Sequence, residues 1–493
     1  MARILLICWM AGSKSNNSSQ LAKANCQLPS ISDSELKNPN KKQPFMGFSK
    51  VFAALSIAMI IYMDGWSQSI TGRPLSLQEC VQTAITNNLD VKQSDLAMER
   101  ASIAWRQSKA NLLPNVSGEV DHNLNRGRSI DLSTNSYVDQ QNTSGSYSLS
   151  GNVTLFNGLR LLNILKSNQY AYEASKMELQ QGKEQLMLNV ILAYLQILTD
   201  SDVVVQAQKQ TDVTQQQVDR LKIMNEQGAI KPSDLSDLKG QLADNKVTLI
   251  RSQNDLDAAR LALAQLMNVP YDKNLQVEPL RADQFDLNYA GTPDSVYSVA
   301  LQQLSIIKAV DLRKKSAEKA VQAARGSLFP TVGLGAGFYT PYSSTARDSA
   351  AQKIGYYDQL SNNYRYYMGI GISIPIFNNF LYRNKIALAK VDLKSAQYIA
   401  QTREIQLKQA IEQDYFNMTA ALRRYQVLVE QVAAYTESFQ AAEARYNAGA
   451  STSVDYIIAE NNLARANVNL IIARYDYVLR TKILDYYQSK PLW

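Results

Sequence analysis

The 493-residue sequence predicts a mixed α and β membrane protein built from a tandem repeat, each half joining a pair of strands to a long helical hairpin. Three observations carry that prediction. First, of 13 prolines none lies between Pro114 and Pro232 or between Pro375 and Pro491. An interior proline breaks a helix, so these stretches invite long ones. Second, landmarks recur in the same order. Asn111-Leu-Leu-Pro-Asn-Val116 returns as Ser327-Leu-Phe-Pro-Thr-Val332, Val153–Asn157 as Ile374–Asn378, Ala193-Tyr194 as Asp414-Tyr415, and Gly228 with Asp234 as Gly449 with Asp455. Third, four segments alternate with period 2 and carry one apolar face.

The elements follow in chain order. Residues 1–67 read as an N-terminal extension and signal peptide. Lys41, Lys42 and Lys50 flank the 12-residue apolar run Val51–Tyr62, too short to span a bilayer but suited to a signal core. Cleavage is expected at Ser67–Gln68, and Met46 is the alternative start. Residues 68–112 hold one helix, Ser76–Leu112, opened by the capping box Ser76 to Glu79. Residues 113–157 form the first strand pair and 158–268 the first hairpin, with helices Gly158–Gln227 and Pro232–Asn268. An insert, 269–294, separates the repeats. Residues 295–328 hold the helix Val296–Leu328, 329–379 the second strand pair, and 380–493 the second hairpin, Phe380–Ala448 and Ser451–Gln488, with the C-terminus. In each repeat the first and return helices together match the long helix in length. Two short helices end to end against one long one imply a bundle of constant length near 100 Å, by a rise of about 1.5 Å per residue.

In the strands, Tyr147, Leu149, Gly151, Val153 and Leu155 alternate with Ser146, Ser148, Ser150, Asn152 and Thr154. Their repeat partners are Met368, Ile370, Ile372, Ile374 and Ile376. Val116, Gly118, Val120, His122 and Leu124 form the third apolar set and Val332, Leu334, Ala336, Phe338 and Thr340 the fourth. An ordinary half-buried antiparallel sheet has this period too. The signal peptide, the polar loops 128–143 and 342–362, and tyrosines Tyr339, Tyr342, Tyr364 and Tyr366 at strand ends favour strands of about ten residues facing lipid. No segment after the signal core approaches 18 consecutive apolar residues, so a membrane crossing falls to the strands. Four strands cannot close around water. The chain must then oligomerise, and three copies give 12 strands.

Composition removes other classes. Charged residues are 19%, and residues 1–67 contribute +4 of the +7 net charge, which leaves no basic face for nucleic acid. His122 is the single histidine, and Cys8, Cys26 and Cys80 give no disulfide framework. Most histidine-based acid–base and zinc chemistry is thereby unavailable, no catalytic site or cofactor is expected, and Cys80 reads as a small core residue.

The order Leu75-Ser-Leu-Gln-Glu79 with Ala84 and Asn87-Asn88, then Leu-Leu-Pro, then Leu155-Phe-Asn-Gly158, then Gly-x5-Asp twice, resembles the TolC-like outer membrane efflux protein family. The resemblance covers nearly all of residues 75–488. It implies a homotrimer whose 12-stranded β-barrel, four strands per protomer, sits in the outer membrane of a Gram-negative bacterium. A long α-helical tunnel would continue it through the periplasm. It further implies a passive exit duct for efflux or secretion, docked by a periplasmic adaptor (membrane fusion) protein and an inner-membrane RND or ABC transporter. A coiled-coil adaptor or scaffold of such a system is the alternative, although it would need many short strands that are not apparent.

The resemblance also assigns sites. The turns Gln227-Gly228-Ala229 and Ala448-Gly449-Ala450 would be the adaptor-docking tips. Asp455 would ring the pore constriction, with Asp237 as a partial substitute for a second acidic ring whose family position holds Ile458. Asp234 and Tyr446 would link neighbouring helix pairs at the gate. Ser451 stands where the family has an arginine, so a gate with fewer ionic links is expected. Leu149, Val153, Leu155, Ile370, Ile372 and Ile374 would face lipid.

Overall fold

The computed structural model describes residues 73–131, 136–279 and 289–490. The extension, the signal core and its cleavage point lie outside the described residues, as does part of the insert. Helix α1, Leu77–Asn87, starts at the expected capping box: Glu79 N donates to Ser76 Oγ at 3.3 Å and Ser76 N to Glu79 Oε2 at 3.1 Å. Cys80 is fully buried on its inner face, and burial pushes its thiol up to about 12.

The single helix expected over Ser76–Leu112 is two. Asn88 is extended, and its side-chain oxygen accepts from Asp90 N and Val91 N to start α2, Leu89–Ala110. The second repeat breaks at the equivalent residue, Leu304, between α5, Pro293–Gln303, and α6, Ser305–Gly326. The first break is where helix α4, Pro232–Met267, ends: Asn268 Nδ2 donates to Asn87 O at 3.4 Å. One extended residue re-aims the chain from the core around the α4 terminus onto the wall leading to the sheet.

The wall is made by two helices of equal length, α3, Arg160–Glu226, and α8, Leu381–Asn447, of 67 residues each. That is about 100 Å of helix, as expected. Their return helices are α4, Pro232–Met267, and α9, Ser453–Tyr487. By composition α3 holds one stretch apolar enough to cross a membrane. Its middle is instead core: Val190, Ile191, Tyr194, Ile197 and Leu198 pack with Cys80, Val81, Leu263 and Met267. The Tyr194 hydroxyl donates to Glu278 O at 2.7 Å and Leu75 O at 3.2 Å. It thus pins the bridge between Leu75 and Val277 that ties the insert to the N-terminal end.

Both long helices leave the sheet through two consecutive left-handed residues, Gly158 and Leu159 in one repeat and Asn379 and Phe380 in the other. At the first, α6 passes so closely that a Cβ on Gly158 would lie 2.3 Å from Gly326 O. This explains the glycine of the Leu155–Gly158 motif.

The four strands form one antiparallel sheet in the order β1-β2-β3-β4. They are β1, Asn115–Asp131, β2, Ser136–Phe156, β3, Thr331–Ser343, and β4, Arg365–Ser373. Register gathers the apolar sets on one face. Val116, Gly151 and Ala336 share a row with Met368, and Val153 and Leu334 share one with Ile370. Val116, Val120, Leu149, Met368, Ile370 and Ile372 are all exposed there. The opposite face carries Ser117 beside Ser150, and Glu119 beside Ser148, Tyr339 and Arg365.

Three strand expectations are corrected. β1 and β2 run to 17 and 21 residues, so most of the loop 128–143 is strand. Ile374 lies past the end of β4, because Pro375 has no N–H to continue the ladder. Leu155 is the extra residue of a bulge, where Phe156 takes the pairing with Val332. The loop 342–362 is also ordered: it folds α7, Tyr356–Asn362, onto β3. There buried Gln359 donates to Ser343 O at 2.9 Å and accepts from Ser343 N at 2.8 Å. His122 stacks on Tyr342 at that end, beside Tyr147 and Tyr356.

Gly158→Ala is expected to lower stability by about 2 kcal/mol or more, since backbone must move and a left-handed residue acquires a Cβ. Gly240→Ala, in the open interior of α4, should raise it by about 0.5–1 kcal/mol. Denaturant unfolding followed by circular dichroism reads both.

Candidate functional site

The two hairpin turns lie at the end of the helices remote from the sheet. Each closes its long helix in the same way. Gly228 and Gly449 are left-handed, at φ +69° and +73°. Gly228 N donates to Asn225 O and Ala229 N to Met224 O; Gly449 N donates to Tyr446 O and Ala450 N to Arg445 O. These paired bonds satisfy the last carbonyls, and glycine is the residue that adopts this φ without a Cβ penalty. Gln227, Gly228, Ala229, Ala448, Gly449 and Ala450 are exposed, so both turns present mainly backbone and small side chains.

The helices leaving the turns start differently. α4 begins on Pro232 after Lys231, with no side-chain cap. α9 begins with a capping box in which Thr452 Oγ1 accepts from Asp455 N at 3.2 Å, while Asp455 Oδ2 accepts from Thr452 N at 3.2 Å and from its hydroxyl at 2.8 Å. These bonds hold the exposed Asp455 carboxyl below its ordinary range, and the charge of Arg445 adds to the effect. Asp455 is therefore ionised and fixed in direction, and its carboxylate stays exposed.

Asp234 and Asp237 are brought together by Ser453, to which the sequence assigned no role. The Ser453 hydroxyl, buried at 2% exposure, lies 3.0 Å from Asp237 Oδ2 and 3.4 Å from Asp234 Oδ1. Asp237 thus points toward α9 of its own chain. Tyr446 stacks on the buried Tyr456 with ring centroids 5.1 Å apart. Burial raises the Tyr446 phenol first, and the Asp234 charge raises it further, so the two expected gate partners feel each other. Ser451 buries its hydroxyl oxygen without a partner among the described residues.

Three further links join the hairpins and were not legible in the sequence. Arg220 Nη1 donates to Asn447 Oδ1 at 2.6 Å, tying the ends of α3 and α8. Two turns above the tip, buried Glu460 of α9 accepts from Gln210 and from Thr214 of α3, the latter at 2.8 Å. Asn245 Nδ2 of α4 donates to the Thr214 hydroxyl at 2.8 Å, and Gln241 of α4 exchanges bonds with Asn461 of α9. An acid at a position that the helical period, after Ser453 and Tyr456, turns inward was the available signal for Glu460. Its neighbours are polar as well, which hid the core position. Among the described residues no group of three His, Cys, Asp or Glu side chains is placed to hold a metal ion.

The family model for outer membrane efflux proteins matches residues 80–269 and 296–484, the two repeats. Outer membrane protein TolC of Escherichia coli K12 is 22% identical over 408 residues, covering 82% of this chain and 80% of that protein. The cation efflux system protein CusC of the same organism is 22% identical, covering 89% and 92%. The crystal structure of outer membrane protein VceC from Vibrio cholerae superposes with a TM-score of 0.71 at 15% identity, covering 85% of this chain and 97% of that one.

The capping box has a pH signature. A lowered carboxyl contributes to the order of the α9 start above the ordinary carboxylate range and loses that contribution as pH falls through its depressed value. Amide exchange over residues 453–460 should therefore accelerate in acid. Thr452→Ala is expected to make exchange faster at neutral pH and to flatten the acid dependence.

Proposed function

The chain belongs to the outer membrane efflux protein family, and from that premise we propose that it is the exit duct of a tripartite export system, a passive pore opened at its periplasmic tip. It sits in the outer membrane of a Gram-negative bacterium and extends into the periplasm. One observation supports this reading above the others: a sheet with an exposed apolar band on one face and two open edges runs directly into two helices of about 100 Å. The apolar face suits lipid. The polar face, with Ser117, Ser150, Glu119 and Arg365, suits a water-filled lumen.

Closure follows from the edges. β1 and β4 each leave one side unpaired, and hydrocarbon does not tolerate that. Three copies pairing β4 to β1 make a closed barrel of 12 strands, and the six hairpins below it form a tube. The duct performs no reaction of its own. The coiled-coil adaptor alternative fits poorly, since an adaptor has no use for a sheet with an exposed apolar band on one face.

At the tip, three symmetry copies of Asp455 would converge on the axis. The capping box holds each carboxylate charged, and a ring of acids in a narrow passage attracts cations and repels anions. Asp234 and Asp237 take a different role, bracing hairpin against hairpin through Ser453. The exposed turns at Gly228 and Gly449 offer the docking surface for a periplasmic adaptor, and an inner-membrane transporter of RND or ABC type completes the assembly.

Conductance across planar bilayers tests the ring. Asp455→Ala is expected to reduce cation selectivity and to relieve block by multivalent cations, with unitary conductance kept or raised. Selectivity equal to that of the unaltered protein would remove Asp455 from the constriction.

A further inference from the structure

We propose that Glu460 is a proton-operated latch between the two hairpins of one chain: neutral, it lets α9 pack on α3, and ionised, it loosens that contact. The latch rests on packing within a single chain, and only its consequence for the opening of the tip rests on the export reading.

Three features of the site support it. Glu460 is 2% exposed, at the junction where α9 meets α3 and α4. Its Oε1 accepts two bonds from α3, from Gln210 and Thr214, whereas its Oε2 is buried with no partner among the described residues. Among the described residues, the groups that bond to it or act on its charge include no cation. α3 contributes the neutral Gln210 and Thr214, and α4 contributes Asn245 through Thr214. α8 brings a second carboxylate, Glu443, and α9 itself brings the buried Tyr456 hydroxyl, also unpartnered. A carboxylate in this setting would lose its hydration and gain no counter-ion, which is costly. A proton on the carboxyl removes the charge and keeps both bonds from α3. Burial accordingly raises the Glu460 carboxyl to about 7, the Thr214 bond opposing and the Glu443 charge adding to the rise.

The sign follows from the two states. With the hairpins separated, Glu460 is solvated and titrates near the ordinary value of about 4.3. With them packed, it titrates near 7. Packing is thus fully favoured below the lower value, weakens as pH rises between the two, and stays weakened above the higher. The polar character of the junction makes it separable. Gln210, Thr214, Asn245, Gln241 and Asn461 can exchange their mutual bonds for water at little net cost. The latch would then bias the tip toward opening at neutral and alkaline pH and toward closure in acid.

The test is hydrogen exchange on the full-length protein in lipid nanodiscs, with protection factors corrected for the intrinsic effect of pH on amide chemistry. Segments 207–218 and 456–466 should lose roughly ten- to a hundredfold protection between about pH 5 and about pH 8, while segments near the sheet do not. Glu460→Gln keeps the shape and cannot ionise, and should hold protection flat. Thr214→Val removes the hydroxyl that favours the charged form, and should move the midpoint upward. Flat protection in the unaltered protein overturns the proposal, as does an undiminished pH slope in Glu460→Gln. If Glu460→Gln does not fold, an unshifted midpoint in Thr214→Val overturns it.

Discussion

Everything in the architecture depends on one constraint: in hydrocarbon, each backbone N–H and C=O must find a partner within protein. The four-stranded sheet fails that test by itself. A strand of nine residues such as β4 turns roughly half its backbone groups outward, and at several kcal/mol per unpaired group the edge alone costs on the order of 10 kcal/mol or more. β1 presents a longer edge on the opposite side. Neither helix nor loop among the described residues covers these edges. Pairing with another copy is the solution that the sheet order permits, because β4 of one chain can only meet β1 of the next.

The helices inherit the consequence. Once the strands close into a ring, the hairpins beneath must also close. The outer flank of α8 is built for this: Leu388, Val391, Tyr398, Ile399, Ile405 and Phe416 are exposed in the single chain and fall along one helix. An apolar stripe of that extent is not left in water by a stable protein. The equal lengths of α3 and α8, and the end-to-end stacking of α1–α2 over α4 and of α5–α6 over α9, keep the wall uniform in height. A helix shorter by one turn would leave a gap of about 5.4 Å in it.

Much of this was legible in the sequence, because it was written in features that need no tertiary context. Missing prolines announced α3 and α8, and the expected bounds Gly158–Gln227 and Phe380–Ala448 fall within two residues of the observed ones. The capping box at Ser76 and the glycines at 228 and 449 marked ends that the structure keeps. Period-2 alternation put the apolar rows on a single face. The misses share a cause. Asn88 and Leu304 break their helices although neither is Gly or Pro, because what demands the break is a neighbouring helix end more than 100 residues away in sequence. The hairpin β1–β2 extends through polar residues such as Asn125 and Arg126, whose lack of an apolar face hid the strand. Ser453 and Glu460 look like ordinary polar helix residues, and only the meeting of two hairpins buries them.

The tip is where the two repeats cease to be equivalent, and the difference has a physical logic. Higher up, the repeats are held by apolar packing, such as the cluster that joins Cys80, Tyr194, Leu263 and Val478. That packing is non-directional and costly to undo. Toward the tip, contacts between hairpins pass to hydrogen bonds: Arg220 with Asn447, Ser453 with Asp234 and Asp237, and Gln210 and Thr214 with Glu460. Such bonds are specific in geometry yet nearly neutral in net energy when water can replace them. Apolar packing there is centred within a hairpin, on Val218, Leu221, Leu235 and Leu238, and the second hairpin adds only Tyr446 and Ile457 at its margin. A long tube rigid by packing above and joined by exchangeable bonds below can open at its end without unfolding its wall. Repeat one supplies Asp234, Asp237, Gln210, Thr214 and Arg220, and repeat two answers with Ser453, Glu460 and Asn447. The duplication thus places complementary halves of the junction on two hairpins that otherwise share one design.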